Sequence, residues 1–138
     1  MHIHTADNLA RQIHHTAALL FRETDQILFG QFGIGLAQYK ILSVVKEHSY
    51  TKQLTIANTL GQTEASISRQ IKLLQQAGMI VAIKNPDNRR EHLITATTRG
   101  QNVTEAANKA LSLYYDNFFK KLSTKQQKQL VALLRSTQ

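Results

Sequence analysis

The sequence has no cysteine in 138 residues and only one proline. Without cysteine there are no disulfides, no cysteine-ligated zinc or iron–sulfur clusters, and no thiol with which to sense peroxides. No apolar run approaches the roughly 18 residues of a membrane span. The first residues also lack the basic-then-apolar order of a signal peptide. We therefore expect a cytoplasmic protein with no membrane partner.

Recognisable catalytic motifs are also missing. The sequence contains no glycine-rich phosphate loop, no His-Glu-x-x-His and no Gly-x-Ser-x-Gly, and its nine acidic residues form no paired-carboxylate pattern. His2 and His4 lie near the N-terminus, while His14 and His15 are adjacent on a predicted helix and so point in different directions. A metal sensor needs two or three converging ligands, so solvated histidines are the favoured interpretation. The sequence predicts no enzyme, no metal site and no cofactor.

Positive charge dominates what is present. Lys and Arg number 17 against 9 Asp and Glu, which gives a net charge of +8 and a pI near 10.0. A charge of this size favours a polyanionic partner through counterion release and long-range steering. A basic domain that never meets nucleic acid remains an alternative at this point, because composition does not distinguish the two.

Apolar residues recur at helical spacing along most of the chain, and hydrophobic residues make up 42% of it. Asp7 and Asn8 are the expected caps of the first helix. The short helix at 54–61 ends at Gly61, a residue suited to a left-handed C-cap, and the next helix follows within three residues. This layout predicts a helix-turn-helix. The predicted helices cover about residues 6–29, 36–48, 54–61, 63–77 and 98–122, with a last one capped by residues 123–127.

The periodicity changes after the helix-turn-helix. The stretches 79–84 and 91–97 are short and rich in β-branched residues, and between them Asn85, Pro86 and Asp87 supply turn chemistry. They predict a β-hairpin, or wing, whose tip is "NPDNRR" (85–90). The segment "SYTKQ" (49–53) is interpreted as a polar connection. The sequence thus predicts a single domain, mainly α with a small β-hairpin.

The helix at 63–77 has the surface of a DNA-recognition helix. On a helical wheel Ile67, Ile71 and Leu74 share the buried face, while Arg69 and Lys72 lie opposite. Arg grips guanine O6 and N7 with two parallel bonds, and Lys, Ser and Thr serve phosphates or bases. A solvated face with two charges is the alternative. The candidate DNA-binding residues here are Thr63, Ser66, Ser68, Arg69 and Lys72.

Two adjacent arginines in the hairpin suggest a second contact. A wing beside a helix in the major groove reaches the neighbouring minor groove, and a narrow A·T-rich minor groove attracts an inserted arginine. We expect Arg89 to be inserted. Arg90 is expected to contact a phosphate or to pair with Asp87 through a charge-assisted bond. Asp87, Arg89 and Arg90 are therefore the candidate wing residues.

These residues resemble the MarR family of bacterial transcriptional regulators. The resemblance rests on "LAQYKIL" (36–42), "LTIANTLG" (54–61), "SISRQIKLLQQAGMI" (66–80), "NPDNRRE" (85–91) and "TTRG" (97–100). It implies a winged helix-turn-helix lobe at 36–100, flanked by dimerisation helices at 1–30 and 101–138. By position, Ser66, Ser68, Arg69 and Lys72 match the family's recognition helix, and Asp87, Arg89 and Arg90 match its wing.

The resemblance also implies how such a protein works. Relatives are homodimers that bind a pseudo-palindromic operator in double-stranded DNA, usually as repressors. A small-molecule effector commonly lodges between the dimerisation helices and the DNA-binding lobe. Since the first helix borders that cleft in relatives, His14 or His15 is expected to line the effector pocket.

Dimerisation has some independent support in the sequence. The segment "LSLYYDNFFKKL" (111–122) carries apolar and aromatic residues around much of its helix, more than packing on one side requires. An ordinary buried core helix remains the alternative interpretation.

Two other functions compete with a sequence-specific regulator. A non-specific architectural DNA-binding protein would bind with an affinity set by salt and indifferent to sequence. A winged helix used only for protein contacts would favour an acidic or apolar outer face on helix 63–77, and that face is basic.

Overall fold

The computed structural model describes residues 4–138, so His2 lies outside the described residues. Two compact units are distinguished, one ending at Ala107 and the other spanning Asn108–Gln138. The fold is mainly helical with a small antiparallel sheet, which confirms the predicted fold class. The elements are α1 (Thr5–Phe32), α2 (Leu36–Glu47), β1 (Thr51–Lys52), α3 (Gln53–Leu60), α4 (Glu64–Gln76), β2 (Ile80–Asn85), β3 (Asn88–Ala96), α5 (Thr98–Phe118) and α6 (Thr124–Arg135).

The start of α1 differs from the expectation that Asp7 and Asn8 cap it. The helix begins at Thr5 and its N-cap residue is His4, which makes no side-chain capping bond. Asp7 lies in the first turn, where a negative charge interacts favourably with the helix dipole. The helix ends where Gly33 adopts the left-handed conformation, with φ of 68°.

A side chain of α1 caps α2. Asp25 Oδ1 accepts a hydrogen bond of 2.9 Å from the backbone N–H of Leu36, and Gln38 Oε1 accepts one of 3.0 Å from Gly35 N–H. Because Gly35 at the N-cap position has no side chain, Asp25 supplies the oxygen that an ordinary cap would provide. Lys40 also places its Nζ 5.2 Å from the centre of the Phe21 ring. These contacts fix α2 against α1 within the first unit.

The core of the first unit follows the predicted apolar positions. The helix-turn-helix closes at Gly61, whose φ is 64°, and Ile67, Ile71 and Leu74 of α4 are buried as the helical wheel predicted. Burial of apolar surface from all of these elements is what holds the helices to the sheet. The core residues shared by α2, α3 and the strands are Ile41, Leu42, Val45, Ile56, Ala57, Ile80 and Ile94.

The sheet has a strand that the sequence did not reveal. Its order is β1-β3-β2, and β1 pairs Thr51 with Ile94 and Lys52 with Leu93. The interpretation of residues 49–53 as only a polar connection is therefore wrong. A two-residue strand is too short to show any periodicity, and its partner is far away in sequence. Tyr50, just before it, has a φ of 59°.

The hairpin turn is tighter than predicted. Asn85 and Asn88 face each other as ends of the strands, so only Pro86 and Asp87 form the tip, and both arginines belong to β3. Lys84 pairs with His92. From the Lys84–His92 pair to the Asn85–Asn88 pair is one step along β2 but four steps along β3. Residues 89–91 of β3 therefore have no β2 residue opposite them and form a bulge.

The "TTRG" motif (97–100) bonds the start of α5 to Gly78 and Met79, which lie between α4 and β2. Thr97 donates from its N–H to Met79 O at 3.0 Å and from its Oγ1 to Gly78 O at 2.7 Å, while Oγ1 accepts from Gly100 N–H at 3.1 Å. Gly100 lies so close to Met79 that a Cβ built on it would be 2.0 Å from the Met79 carbonyl oxygen. The motif therefore has a structural role, and no residue with a Cβ fits at position 100 without moving the backbone.

The second unit contains the end of α5 and all of α6. Helix α5 ends at Phe118 rather than near Leu122 as expected, because residues 119–122 form turns. Ser123 caps α6 as predicted, and its Oγ accepts from Gln126 N–H at 3.2 Å while Gln126 Oε1 accepts from Ser123 N–H at 2.9 Å. The exposed apolar side chains of this unit are Leu113, Tyr115, Leu130, Val131, Leu133 and Leu134.

No single helix between residues 4 and 138 is both long and apolar enough to cross a membrane. Only α1 and α2 taken together, bent by 76° at their junction, meet that test by length and composition.

Candidate nucleic-acid interface

The candidate recognition helix is capped at its N-terminal end by Thr63. Its Oγ1 accepts a 3.1 Å hydrogen bond from the backbone N–H of Ser66, which stabilises the first turn of α4. The hydroxyl hydrogen of Thr63 is not used by this bond and remains able to donate to a phosphate oxygen. The sequence named Thr63 only as a DNA contact, whereas the structure gives it a capping role as well.

The outer face of α4 is basic and unpaired. Arg69 and Lys72 are exposed, and Ser66 and Ser68 are half-buried at the flanks. Ion pairs in residues 4–138 include Lys46–Glu105 and Lys52–Glu91, and neither Arg69 nor Lys72 is paired with a carboxylate.

The one acidic residue of α4, Glu64, lies in the N-terminal turn of the helix. This is the turn in which the sequence places it, and although the helical wheel puts it near the buried side, it is exposed. There its charge suits the helix dipole. The side chains with which α4 would meet DNA therefore carry positive charge and hydroxyl groups.

Local side-chain bonds shape the tip of the wing. Asn85 Oδ1 accepts from Asp87 N–H at 3.0 Å, and Asn88 Oδ1 accepts from Arg90 N–H at 3.1 Å. These are the side-chain-to-backbone bonds expected of asparagine in turns. Both arginines are exposed, and within residues 4–138 neither forms an ion pair with Asp87. The roles expected for Arg90, a phosphate contact or pairing with Asp87, stay predictions.

A groove of about 390 Å³ is lined by residues of both α4 and the wing. Ser68 of α4 and Arg90 of β3 both line it, so the structure unites residues from the two predicted contact regions. Arg69, Lys72 and Arg89 are not among its lining residues. The complete lining is Lys52, Gln53, Leu54, Glu64, Ser68, Arg90, Glu91 and His92.

Lys52 is a basic residue of this groove that the sequence did not suggest. It lies in β1, a strand of two residues that is too short to show a pattern. Its Nζ is 3.5 Å from Glu91 Oε2. The strand pairing of β1 with β3 is what places Lys52 beside the wing.

His14 and His15, proposed for an effector pocket, are both exposed on α1. Within residues 4–138 no three His, Cys, Asp or Glu side chains come close enough together to hold a metal ion. The role of the two histidines in effector binding stays a prediction.

The arrangement of a helix-turn-helix followed directly by a β-hairpin defines a winged helix. The model of the MarR family matches residues 34–92. The resemblance seen in the sequence is therefore confirmed over residues 34–92.

Solved structures with the same fold cover almost the whole chain. A MarR-family transcriptional regulator from Rhodococcus sp. RHA1 is 20% identical, with 99% of this chain and 96% of that one covered and a TM-score of 0.86. A cysteine-to-serine mutant of MarR from E. coli, complexed with operator DNA, is 21% identical over 94% and 93%, with a TM-score of 0.85. The S. aureus MepR–DNA complex is 25% identical over 98% and 97%, with a TM-score of 0.81. No curated protein sequence matches this one significantly.

Proposed function

We propose that this protein is a cytoplasmic, sequence-specific DNA-binding regulator of transcription that catalyses no reaction. The observation that carries the proposal is the outer face of α4, where Arg69 and Lys72 are exposed and free of carboxylate partners. Unpaired arginine and lysine on a recognition helix serve base readout and phosphate neutralisation respectively. The MarR and MepR complexes with DNA support the proposal by likeness of fold.

Each candidate residue has a distinct role in this proposal. Arg69 reads a guanine in the major groove, Ser66 and Ser68 bond to bases or phosphates, and Lys72 neutralises a phosphate. From the wing, Arg89 enters the adjacent minor groove and Arg90 contacts the backbone. Specific affinity then comes from Arg69 and Arg89, and most of the salt dependence comes from the phosphate contacts.

The finer proposal is that the regulator is a homodimer that represses from a pseudo-palindromic operator. Apolar side chains are exposed on α1, including Leu9, Phe21 and Phe29, and separately on α6, including Leu133. Exposed apolar patches of this kind mark protein–protein contacts, and a second copy of the chain is the partner we propose. A two-fold dimer reads two half-sites about one helical turn, or roughly 10 base pairs, apart.

Release from the operator is proposed to follow small-molecule binding. The effector would favour a conformation in which the two recognition helices no longer match successive grooves, so its differential affinity for the two states drives release. His14 and His15 on α1 remain the candidates for contacting this molecule.

The test is selection of genomic fragments by the purified protein, followed by footprinting at near-physiological salt. We expect a protected pseudo-palindrome with half-sites about 10 base pairs apart, and loss of that protection in Arg69→Ala. A non-specific architectural protein is the competing function. It predicts diffuse protection of every fragment, protection that fades with salt and that Arg69→Ala weakens equally on all sequences. That result would establish the architectural function and refute ours.

A further inference from the structure

One carboxylate connects all three strands of the sheet. Glu91 of β3 places its Oε2 3.5 Å from Lys52 Nζ on β1 and 3.1 Å from Asn85 Nδ2 on β2. Asn85 also accepts from Asp87 N–H at the hairpin tip through its Oδ1. A continuous set of polar contacts therefore runs from β1, through Glu91, to the turn of the wing.

The segment held by these contacts contains both wing arginines. Arg89 and Arg90 precede Glu91 in the stretch of β3 that has no β2 residue opposite it. Regular ladder bonds to β2 therefore do not fix this bulge. The turn bonds hold one end of it, and Glu91 holds the other.

We propose that Glu91 is a positioning residue for DNA binding. Its carboxylate holds the bulged stretch so that Arg89 is presented to the minor groove and Arg90 to the DNA backbone. This inference rests on the proposed function and adds a residue to which no role has been assigned. Glu91 itself touches no DNA in this proposal, because an acidic group next to phosphates is repelled.

The sign of the effect distinguishes positioning from simple electrostatics. Removing a negative charge beside a DNA-binding surface reduces repulsion of phosphates, so charge alone predicts tighter binding for Glu91→Ala. If the carboxylate positions the arginines, the same substitution weakens binding. Glu64 provides a matched control, because it is an exposed acid lining the same groove and forms no ion pair in residues 4–138.

The experiment measures affinity for the strongest fragment from the genomic selection and for a random duplex of equal length, at one fixed salt concentration. For Glu91→Ala we expect affinity for the selected fragment to fall about three- to tenfold, since a surface ion pair alone contributes little and the displaced arginines account for the rest. Glu91→Gln, which keeps the shape and an acceptor oxygen, is expected to lie between Glu91→Ala and wild type. Glu64→Ala is expected to bind as tightly as wild type or more tightly.

Dimethyl sulfate footprinting separates the wing from the recognition helix. This reagent methylates guanine N7 in the major groove and adenine N3 in the minor groove. We expect Glu91→Ala to lose adenine N3 protection beside each half-site and to keep guanine N7 protection. A purely structural role would weaken both kinds of protection together.

A double-mutant cycle tests whether Glu91 acts through the wing. Arg89→Ala is expected to cost less in the Glu91→Ala background than in wild type, because the arginine is already misplaced there. Additive effects, or tighter binding by Glu91→Ala and Glu91→Gln alike, would overturn the inference while leaving the proposed function intact. Equal binding of the selected and random duplexes by the wild-type protein would instead overturn the proposed function, and this inference with it.

Discussion

Replacing Gly100 by alanine tests the close approach of α5 to the end of α4. The added Cβ would lie 2.0 Å from Met79 O and 2.9 Å from Met79 C, whereas real Cβ contacts essentially never fall below 3.0 Å. The two backbones must therefore separate by about 1 Å to accommodate a methyl group. That movement would lengthen the bonds from Thr97 to Met79 O and Gly78 O, now 3.0 Å and 2.7 Å.

The expected cost follows from these two effects. Overpacking costs typically about 1–3 kcal/mol, and each of the two weakened hydrogen bonds about 0.5–1.5 kcal/mol, so we expect the free energy of unfolding to fall by about 2–6 kcal/mol. With an unfolding entropy of about 2.1 cal/mol/K per residue, 138 residues convert this into a fall in melting temperature of about 7–21 °C. The measurement is thermal unfolding by circular dichroism at one fixed protein concentration, because association shifts the transition.

Gly30→Ala is the matched control for this substitution. Gly30 lies inside α1, and a Cβ added to it would have no atom within 4 Å. Replacing an exposed helical glycine by alanine should stabilise the protein by about 0.5–1 kcal/mol. If Gly100→Ala melts at the same temperature as wild type or Gly30→Ala, the structural role assigned to the "TTRG" motif is refuted.

Three further predictions concern binding and capping. Arg69→Ala is expected to weaken binding to the selected operator by about 1–3 kcal/mol, with little change in binding to random DNA. Lys72→Ala should weaken binding to both duplexes and reduce the slope of log affinity against log salt by about 1. Equal losses from both variants on both duplexes would contradict this division of roles. Arg89→Ala should abolish minor-groove protection at matched salt, and unchanged affinity would show that another residue enters the groove. Asp25→Ala should lower the free energy of unfolding by about 0.5–2 kcal/mol, because the N–H of Leu36 loses its acceptor, and urea denaturation showing no change would refute the capping role.

Predictions based on local pattern agree well with the structure. The buried face of α4 is confirmed at Ile67, Ile71 and Leu74, and Gly61 ends α3 in the left-handed conformation as expected. Helical periodicity and glycine conformation act over a few residues, so a single sequence displays them directly. The fold class and the family resemblance follow from these signals together with the hairpin residues.

Predictions of boundaries and pairings were less accurate. The arginines were assigned to the hairpin tip, but they lie in β3, because asparagine bonds at positions 85 and 88 close a tighter turn at Pro86 and Asp87. The capping roles given to Asp7 and Asn8 were wrong, since α1 begins before them. The same local composition is compatible with several end points for a helix or a strand, and tertiary packing determines which of them forms.

The sequence by itself determined the order of the helices, the winged helix-turn-helix and the basic face of α4. The tertiary structure decided the contacts between residues distant in sequence: Asp25 capping α2, Gly100 against Met79, and Glu91 joining Lys52 to Asn85. The physical reason is that periodicity records only which face of an element is apolar. Which polar side chain reaches a partner depends on how the elements pack, and the residues at both ends of such a contact leave no pattern in the chain.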